Sequence, residues 1–259
     1  PTLEQVAPRV FATAVHPPDA DGYCSLSLHA GATVGEIMRV VADPDRVLVA
    51  EASSRFPRTF GHGDYGHRLH VDQIDVLIES DREPFLLADA EASEADRAIA
   101  DHVASFIVEG STLQTGIGGI PSRVARMLAE SDLGGFGVHS EMFATGLMHL
   151  HKAGKVTNQK GIYDGVSITT FAAGTRELYD WLDENTEVAF LPVGIVNSPE
   201  VISRNPKMVS INGAIAVDLA GQAIADTIHG SQFSGIGGHE DFVASSGLEI
   251  GRAAGRDRG

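Results

Sequence analysis

The sequence predicts an α/β protein with a mostly parallel sheet, and three observations carry that expectation. Strand-like and helix-like segments alternate over most of the 259 residues. Val47-Leu48-Val49-Ala50-Glu51 is an apolar run of the kind found in parallel strands covered on both faces. Ser111-Thr112-Leu113-Gln114-Thr115 runs into Gly116-Ile117-Gly118-Gly119-Ile120-Pro121 and then into a helical pattern, which is a strand, a glycine loop and a helix.

In chain order, Val6 to Val15 reads as a buried strand entering the turn His16-Pro17-Pro18-Asp19-Ala20-Asp21-Gly22-Tyr23, and Cys24 to Leu28 returns as a short strand. Thr33 to Ala42 has helical periodicity through Val34, Ile37, Met38 and Val41, and Asp43-Pro44 ends it. Val71 to Ile78 is expected to be a strand. Acidic residues then crowd Glu79 to Glu94, so the boundary between two lobes is expected between Asp81 and Ser93. Ala95 to Val108 is expected to be a helix burying Ile99, Val103, Phe106 and Ile107. After the glycine loop, Pro121 suits a first helical turn, with Val124, Met127 and Leu128 on one buried face.

Phe136-Gly137-Val138 is a short strand, and Phe143 to Ala153 a helix stopped by Gly154. Val166 to Phe171 is a strand, Thr175 caps a helix to Leu182, and Val188 to Pro192 is a buried strand. Lys207 to Asn212 and Ala214 to Asp218 follow as strands, with a hairpin turn at Ala220-Gly221 into Gln222 to Asp226. The domain reading is 1–90 as a first lobe, 91–245 as a catalytic lobe, and 246–259 as an irregular tail without apolar rhythm.

Composition narrows the function classes. A formal charge of -16 opposes general binding to nucleic acid or an anionic membrane surface. Fifteen of the nineteen basic residues are arginines, so an anionic cofactor remains possible where arginines and helix N-termini converge. No apolar run approaches a membrane span and no leader opens the chain. The single cysteine, Cys24, forbids an internal disulfide, fits a reducing compartment, and reads as a buried bystander. His67 with His70, or His149 with His151, lack the further ligands of a zinc site, so no metal is expected.

The two glycine clusters organise the chemistry. Gly116, Gly118 and Gly119 let the backbone approach a ligand closely, yet no Gly-Lys-Ser/Thr follows, and Pro121 stands where a dinucleotide fingerprint has its third glycine. A tight strand-to-helix turn explains that loop equally well. His139-Ser140-Glu141 follows a strand, so Glu141 is delivered near the mouth of the same loop, although a solvated helix-start glutamate is the plainer reading of Glu141 alone. Ser234-Gly235-Ile236-Gly237-Gly238-His239-Glu240-Asp241-Phe242 is the second cluster. Its Glu240 and Asp241 serve equally as an acid–base pair or as a cap and a surface charge.

The ordered set Gly-x-Gly-Gly-Ile-Pro (116–121), His-Ser-Glu-Met-Phe (139–143), Ser-Ile-Asn-Gly-Ala-Ile-Ala-Val-Asp-Leu-Ala-Gly-Gln (210–222) and Ser-Gly-Ile-Gly-Gly-x-x-Asp-Phe (234–242) resembles the acetyl-CoA hydrolase/transferase family. The resemblance covers about residues 6 to 243 and is strengthened by Asn205-Pro206-Lys207-Met208-Val209 and Pro17-Pro18-Asp19. It implies two lobes of CoA-transferase-like fold, with coenzyme A as substrate and no permanently bound cofactor. It also implies a short-chain acyl-CoA and a small carboxylate as partners; a homodimer is expected from the likeness together with an apolar sheet edge needing cover, and a cytoplasmic location fits the cysteine usage.

By that likeness Glu141 is the nucleophile, forming a glutamyl-CoA thioester. Gly235, Gly237 and Gly238 supply oxyanion-binding N–H groups, Gly116, Gly118 and Gly119 shape the wall that approaches CoA, and Asn212, His139 and Asp241 lie at the substrate. An acyl-CoA hydrolase using the same glutamate, an inactive CoA-binding fragment, and a NAD-dependent dehydrogenase are the competing readings. The dehydrogenase is opposed by Pro121 and by the absence of a ribose-binding acid. His239 and Glu240 stand where the family has glutamine and an aliphatic residue, and Ser53 where it has asparagine. Family members are longer, so the chain reads as an internal piece, or as a product whose frame is disrupted after about Ser245.

Overall fold

The computed structural model describes residues 5–89, 91–235 and 237–245. The chain forms two compact units, Pro1–Ala88 with Val166–Val196 and Asp89–Gly165 with Asn197–Gly259. This differs from contiguous lobes at 1–90 and 91–245: the chain does cross near Ala88, but after Asp89–Gly165 it returns to the first unit for Val166–Val196. The expected tail at 246–259 lies outside the described residues.

In the first unit, β1 (Val10–Val15), β2 (Tyr23–Ser25), β3 (Val47–Ala52), β4 (Arg68–His70) and β5 (Val76–Glu79) appear in order. β1, β3 and β5 form a parallel sheet in that spatial order, with Val10 opposite Val47 and Val49 opposite Val76. The helix Val34–Val41 adds Ile37 and Val40 to a core that holds Val15, Cys24, Leu26, Leu48, Ala50, Ala52 and Leu69. Each of the valines, leucines and Ile37 contributes roughly 1.5–3 kcal/mol of burial free energy, so this core is the unit's main stabilising term. Cys24 is fully buried on β2, opposite Leu69 of the antiparallel partner β4.

The expected strand over Val71–Ile78 is broken. A 3-10 turn occupies Val71–Gln73, and only Val76–Glu79 is strand. The Gln73 amide oxygen accepts from His70 N (2.8 Å) and the His70 ring from Asp72 N (3.3 Å), and this reciprocal cap captures donors that a ladder would need.

The second unit opens with the helix Glu94–Ala104, which Ser93 and Asp96 close with a capping box. Its buried residue is Ala100, while Ile99 and Phe106, expected inside, are exposed. Close packing on the helix Gly119–Glu130 selects the small side chain. β6 (Thr112–Thr115) is buried throughout and is flanked in parallel by β7 (Gly137–Val138), with Leu113 opposite Val138. β8 (Met142–Phe143) leads to the helix Thr145–Lys152, which ends at Gly154 in the left-handed region (φ 68°).

Back in the first unit, β9 (Ser167–Thr169), β10 (Phe171–Ala172) and β11 (Val188–Phe190) are joined by a helix, Arg176–Leu182, capped by Thr175. β9 and β11 pair in parallel, and Phe190 N donates to Phe60 O (2.8 Å). β12 (Met208–Ile211) completes the second unit's sheet on the other side of β6, with Ile211 opposite Thr115. β13 (Ala216–Val217) and β14 (Ala223–Ile224) form the expected hairpin around Gly221, whose φ is 83°. Residues 239–245 are helical. Among the described residues no helix is long and apolar enough to cross a membrane, and no group of three or more His, Cys, Asp or Glu could hold a metal.

Candidate functional site

In a parallel sheet the carboxyl ends of neighbouring strands open into a crevice that loops can furnish with chemistry. Here β12, β6 and β7 end side by side. β7 continues into His139-Ser140-Glu141, and this stretch is tied to β6. His139 N donates to Leu113 O (3.1 Å), and Ser140 Oγ donates to Met142 O (2.6 Å), with Thr115 O at 3.4 Å. Glu141 therefore leaves the sheet in a fixed direction and is only partly buried.

Two residues distant in sequence meet it. Asn197 Nδ2 donates to Glu141 Oε2 at 2.6 Å and to Asp241 Oδ2 at 3.1 Å, so both amide protons are used, one on each carboxylate. Asn197 is itself buried, and its Oδ1 has no hydrogen-bond partner among the described residues. The second glycine cluster closes on the same carboxylate. A Cβ on Gly238 would stand 1.7 Å from Glu141 Oε2 and 2.3 Å from Asn197 Nδ2. A side chain there would force the Glu141 carboxylate and the Asn197 amide to move. Gly237 takes a φ of 59°, and its Cβ position lies 4.0 Å from Glu141 Oε1.

The other expected site residues divide. Asp241 joins the cluster through Asn197. His139 is wholly buried, with its ring 6.4 Å from that of Phe242. Gly235 is exposed, and its Cβ position meets nothing within 4 Å.

Asn212 exchanges hydrogen bonds with Gln114 (3.2 and 3.1 Å) at the end of β12. It lines a cavity of about 470 Å³ together with Met208, His239 and Phe242, and Glu141 is not among that cavity's lining residues. In the first loop, Gly116 N donates to Ile211 O (3.3 Å), and Gly118 needs its glycine for a φ of 120°. Gly119 faces elsewhere, because its Cβ position lies 2.9 Å from Asp96 Oδ2 and 3.3 Å from Ala92 Cα. Packing against the neighbouring helix, and not the carboxylate, excludes a side chain at Gly119.

Asn197 is the residue that sequence reasoning missed. Its only signal is a polar side chain standing before Ser198-Pro199, which opens the helix Pro199–Ser203. Chemically, the arrangement offers a carboxylate that accepts from the Asn197 amide and that the backbone at Gly238 approaches closely. Such a group can act as an oriented nucleophile beside preorganised donors.

Residues 174–254 match the acetyl-CoA hydrolase/transferase C-terminal domain. The chain is 36% identical over 93% of its length to a 4-hydroxybutyrate coenzyme A transferase of Clostridium kluyveri, of which it covers 54%. It is 35% identical over 92% of its length to a butyryl-CoA:acetate CoA-transferase of Anaerostipes caccae, of which it covers 52%. Its fold superposes on RipA from Yersinia pestis with a TM-score of 0.82 at 29% identity, covering 93% of this chain and 52% of that one. The chain thus spans about half the length of the curated relatives it matches. With the glycine clusters, the glutamate and the parallel sheet all in the expected order, the chain belongs to the acetyl-CoA hydrolase/transferase family.

Proposed function

We propose that this chain carries the chemistry of a CoA-transferase, moving coenzyme A between a short-chain acyl-CoA and a small carboxylate with Glu141 as nucleophile. The observation that supports this reading is the contact of Glu141 with Asn197 and Gly238. The Glu141 carboxylate attacks the thioester carbonyl; the carbon–sulfur bond breaks, leaving an acyl-glutamyl anhydride and CoA thiolate. The thiolate then attacks the glutamyl carbonyl, releasing the first carboxylate and leaving a glutamyl-CoA thioester. An acceptor carboxylate reverses the two steps and departs as the new acyl-CoA. Each step passes through an oxyanion. The Asn197 amide and the backbone at Gly237 and Gly238 are the groups on hand to stabilise it, an effect worth roughly 10²–10³ in rate per donor.

Asp241 holds the second amide proton of Asn197 and so fixes which end of that amide faces Glu141. No metal enters the scheme, and coenzyme A is substrate, not resident cofactor. Hydrolysis is the second reading, favoured by the family description, which names hydrolases beside transferases. Water would then take the acceptor's place at the same glutamate.

A homodimer in a reducing, cytoplasmic setting completes the proposal, supported by the exposed apolar strand β5 and the single, buried cysteine. The test is to mix acetyl-CoA, a second carboxylate such as butyrate, and the protein, and follow thioesters by chromatography. Butyryl-CoA appearing in step with acetate supports transfer. Free CoA without a new thioester defeats it in favour of hydrolysis, and CoA binding without turnover identifies an inactive fragment.

A further inference from the structure

Lys160, in the second unit, is a lysine with only 2% of its surface exposed, and no step of the proposed reaction uses it. Burial pushes its amine down from an ordinary 10.5 to about 8, while the Asp164 carboxylate of the same loop acts in the opposite sense. Below about pH 8 the folded chain therefore carries a cation that the unfolded chain would hold more easily in water. That charge costs stability. Packing alone would be served as well by an uncharged side chain of the same length.

What the ammonium touches leads back to the nucleophile. The Lys160 stem lies on β7, where Gly137 leaves room for it: a Cβ on Gly137 would stand 2.5 Å from Lys160 Cγ and 2.7 Å from Cδ. Lys160 Nζ donates to Tyr163 O (3.2 Å) and to Asn158 Oδ1 (3.4 Å). Asn158 is buried, takes a left-handed φ of 53°, and through the same Oδ1 accepts from Val138 N at 2.9 Å. Its own N donates to Phe136 O (3.0 Å), so Asn158 holds one edge of β7 while β6 pairs with the other. A charged donor on that amide oxygen polarises it and holds it in place. The loop fixes the pair in turn: Asp164 Oδ1 accepts from Lys160 N (2.7 Å) and Gly161 N (2.6 Å), and Gly165 N donates to Asn158 O (3.0 Å). Three residues beyond Val138 the same stretch delivers Glu141.

We infer that Lys160 is a positioning residue: its ammonium, acting through Asn158, fixes the Val138 peptide and with it the direction in which Glu141 leaves the sheet. The effect on turnover rests on the CoA-transferase reading. The effect on the Val138 amide does not.

The experiment compares the whole chain with Lys160→Met, which keeps a stem on Gly137 and removes the ammonium. Exchange of the Val138 amide is followed by NMR of protein labelled with nitrogen-15 valine, beside steady-state turnover and urea unfolding. In the variant that amide should exchange roughly tenfold faster. Its kcat should fall roughly 10- to 100-fold with KM for acyl-CoA unchanged, as expected when a reacting group is misplaced. The urea midpoint should hold or rise, a result that loss of packing would not give. Wild-type kcat should also decline as pH rises through about 8, and Lys160→Met should lack that limb. Should Lys160→Met fail to fold, Lys160→Gln takes its place with the same expected directions. Val138 exchange unchanged from wild type, or kcat unchanged, overturns the inference and leaves the stem as packing only. A wild type without turnover and without an adduct at Glu141 removes the transferase reading alone, and the Val138 exchange then decides this inference by itself.

Discussion

At the scale of single residues, the account turns on Glu141, Asn197 and Gly238. Replacing Asn197 by Ala removes the donor at 2.6 Å from Glu141 Oε2, and turnover should fall on the order of 100-fold with CoA affinity nearly unchanged. Equal loss of kcat and of CoA binding would instead mark Asn197 as structural. Gly238→Ala puts a methyl group where Glu141 Oε2 stands, so the carboxylate must move and turnover should drop at least as far, checked by the same steady-state assay. The meeting of Glu141 with Gly237 and Gly238 was foreshadowed by motif order, whereas Gly119 and Gly235 do not reach the carboxylate. Asn197 was not legible, since its role exists only when residues 56 apart in the chain meet. Nor was the burial of His139 legible: a histidine beside a glutamate suggests a wall residue, whereas its side chain is wholly buried near the Phe242 ring.

At the scale of elements, small contacts decide which helix face packs and how the first unit responds to acid. Gly119→Ala would drive a methyl group toward Ala92 and toward the Asp96 carboxylate that caps the helix Glu94–Ala104. A loss of about 1–3 kcal/mol should show as a lower urea midpoint. His67 is buried, donates from Nε2 to Ser27 O (2.8 Å) and stacks 5.0 Å from Phe190, and burial pushes its pKa down to about 4 from an ordinary 6.5. The unfolded chain therefore takes up a proton near pH 6.5 that the folded chain refuses until about 4. Stability is fully present above pH 6.5 and should be lost as pH falls toward 4, and His67→Gln should flatten that window in thermal melts.

Glu36 adds to the acid side of the curve. The guanidinium groups of Arg46 and then Arg39 hold its carboxyl below the ordinary 4.5, so its contribution is present above that value and lost below it. Periodicity revealed most elements, including the helix Val34–Val41 and the β13–β14 hairpin. It failed at Val71–Gln73, where a side-chain cap competes with the strand, and at Ile99 and Phe106, where a small residue forms the contact instead.

For the whole molecule, the division into units was only half legible. The acidic crossing near Ala88 has a composition signal, but the return of 166–196 rests on backbone pairing such as Ala30 N to Thr170 O (2.7 Å), which no local pattern announces. Val76, Leu77 and Ile78 are each at least 40% exposed on β5, and an apolar strand of that kind invites pairing. The chain should therefore be a dimer in light scattering, and Ile78→Lys should shift it toward monomer; a monomer at every concentration contradicts the assembly.

The central claim is that this chain, at about half the length of its curated relatives, holds a competent nucleophile at Glu141. The direct measurement is mass spectrometry of the protein after incubation with acyl-CoA and no acceptor, with hydroxylamine and borohydride controls. The account predicts CoA linked as a thioester to the peptide holding His139 to Met142, cleaved by hydroxylamine, reduced by borohydride, and missing in Glu141→Gln. CoA carried by another residue, such as Glu240, or persisting in Glu141→Gln, would contradict it.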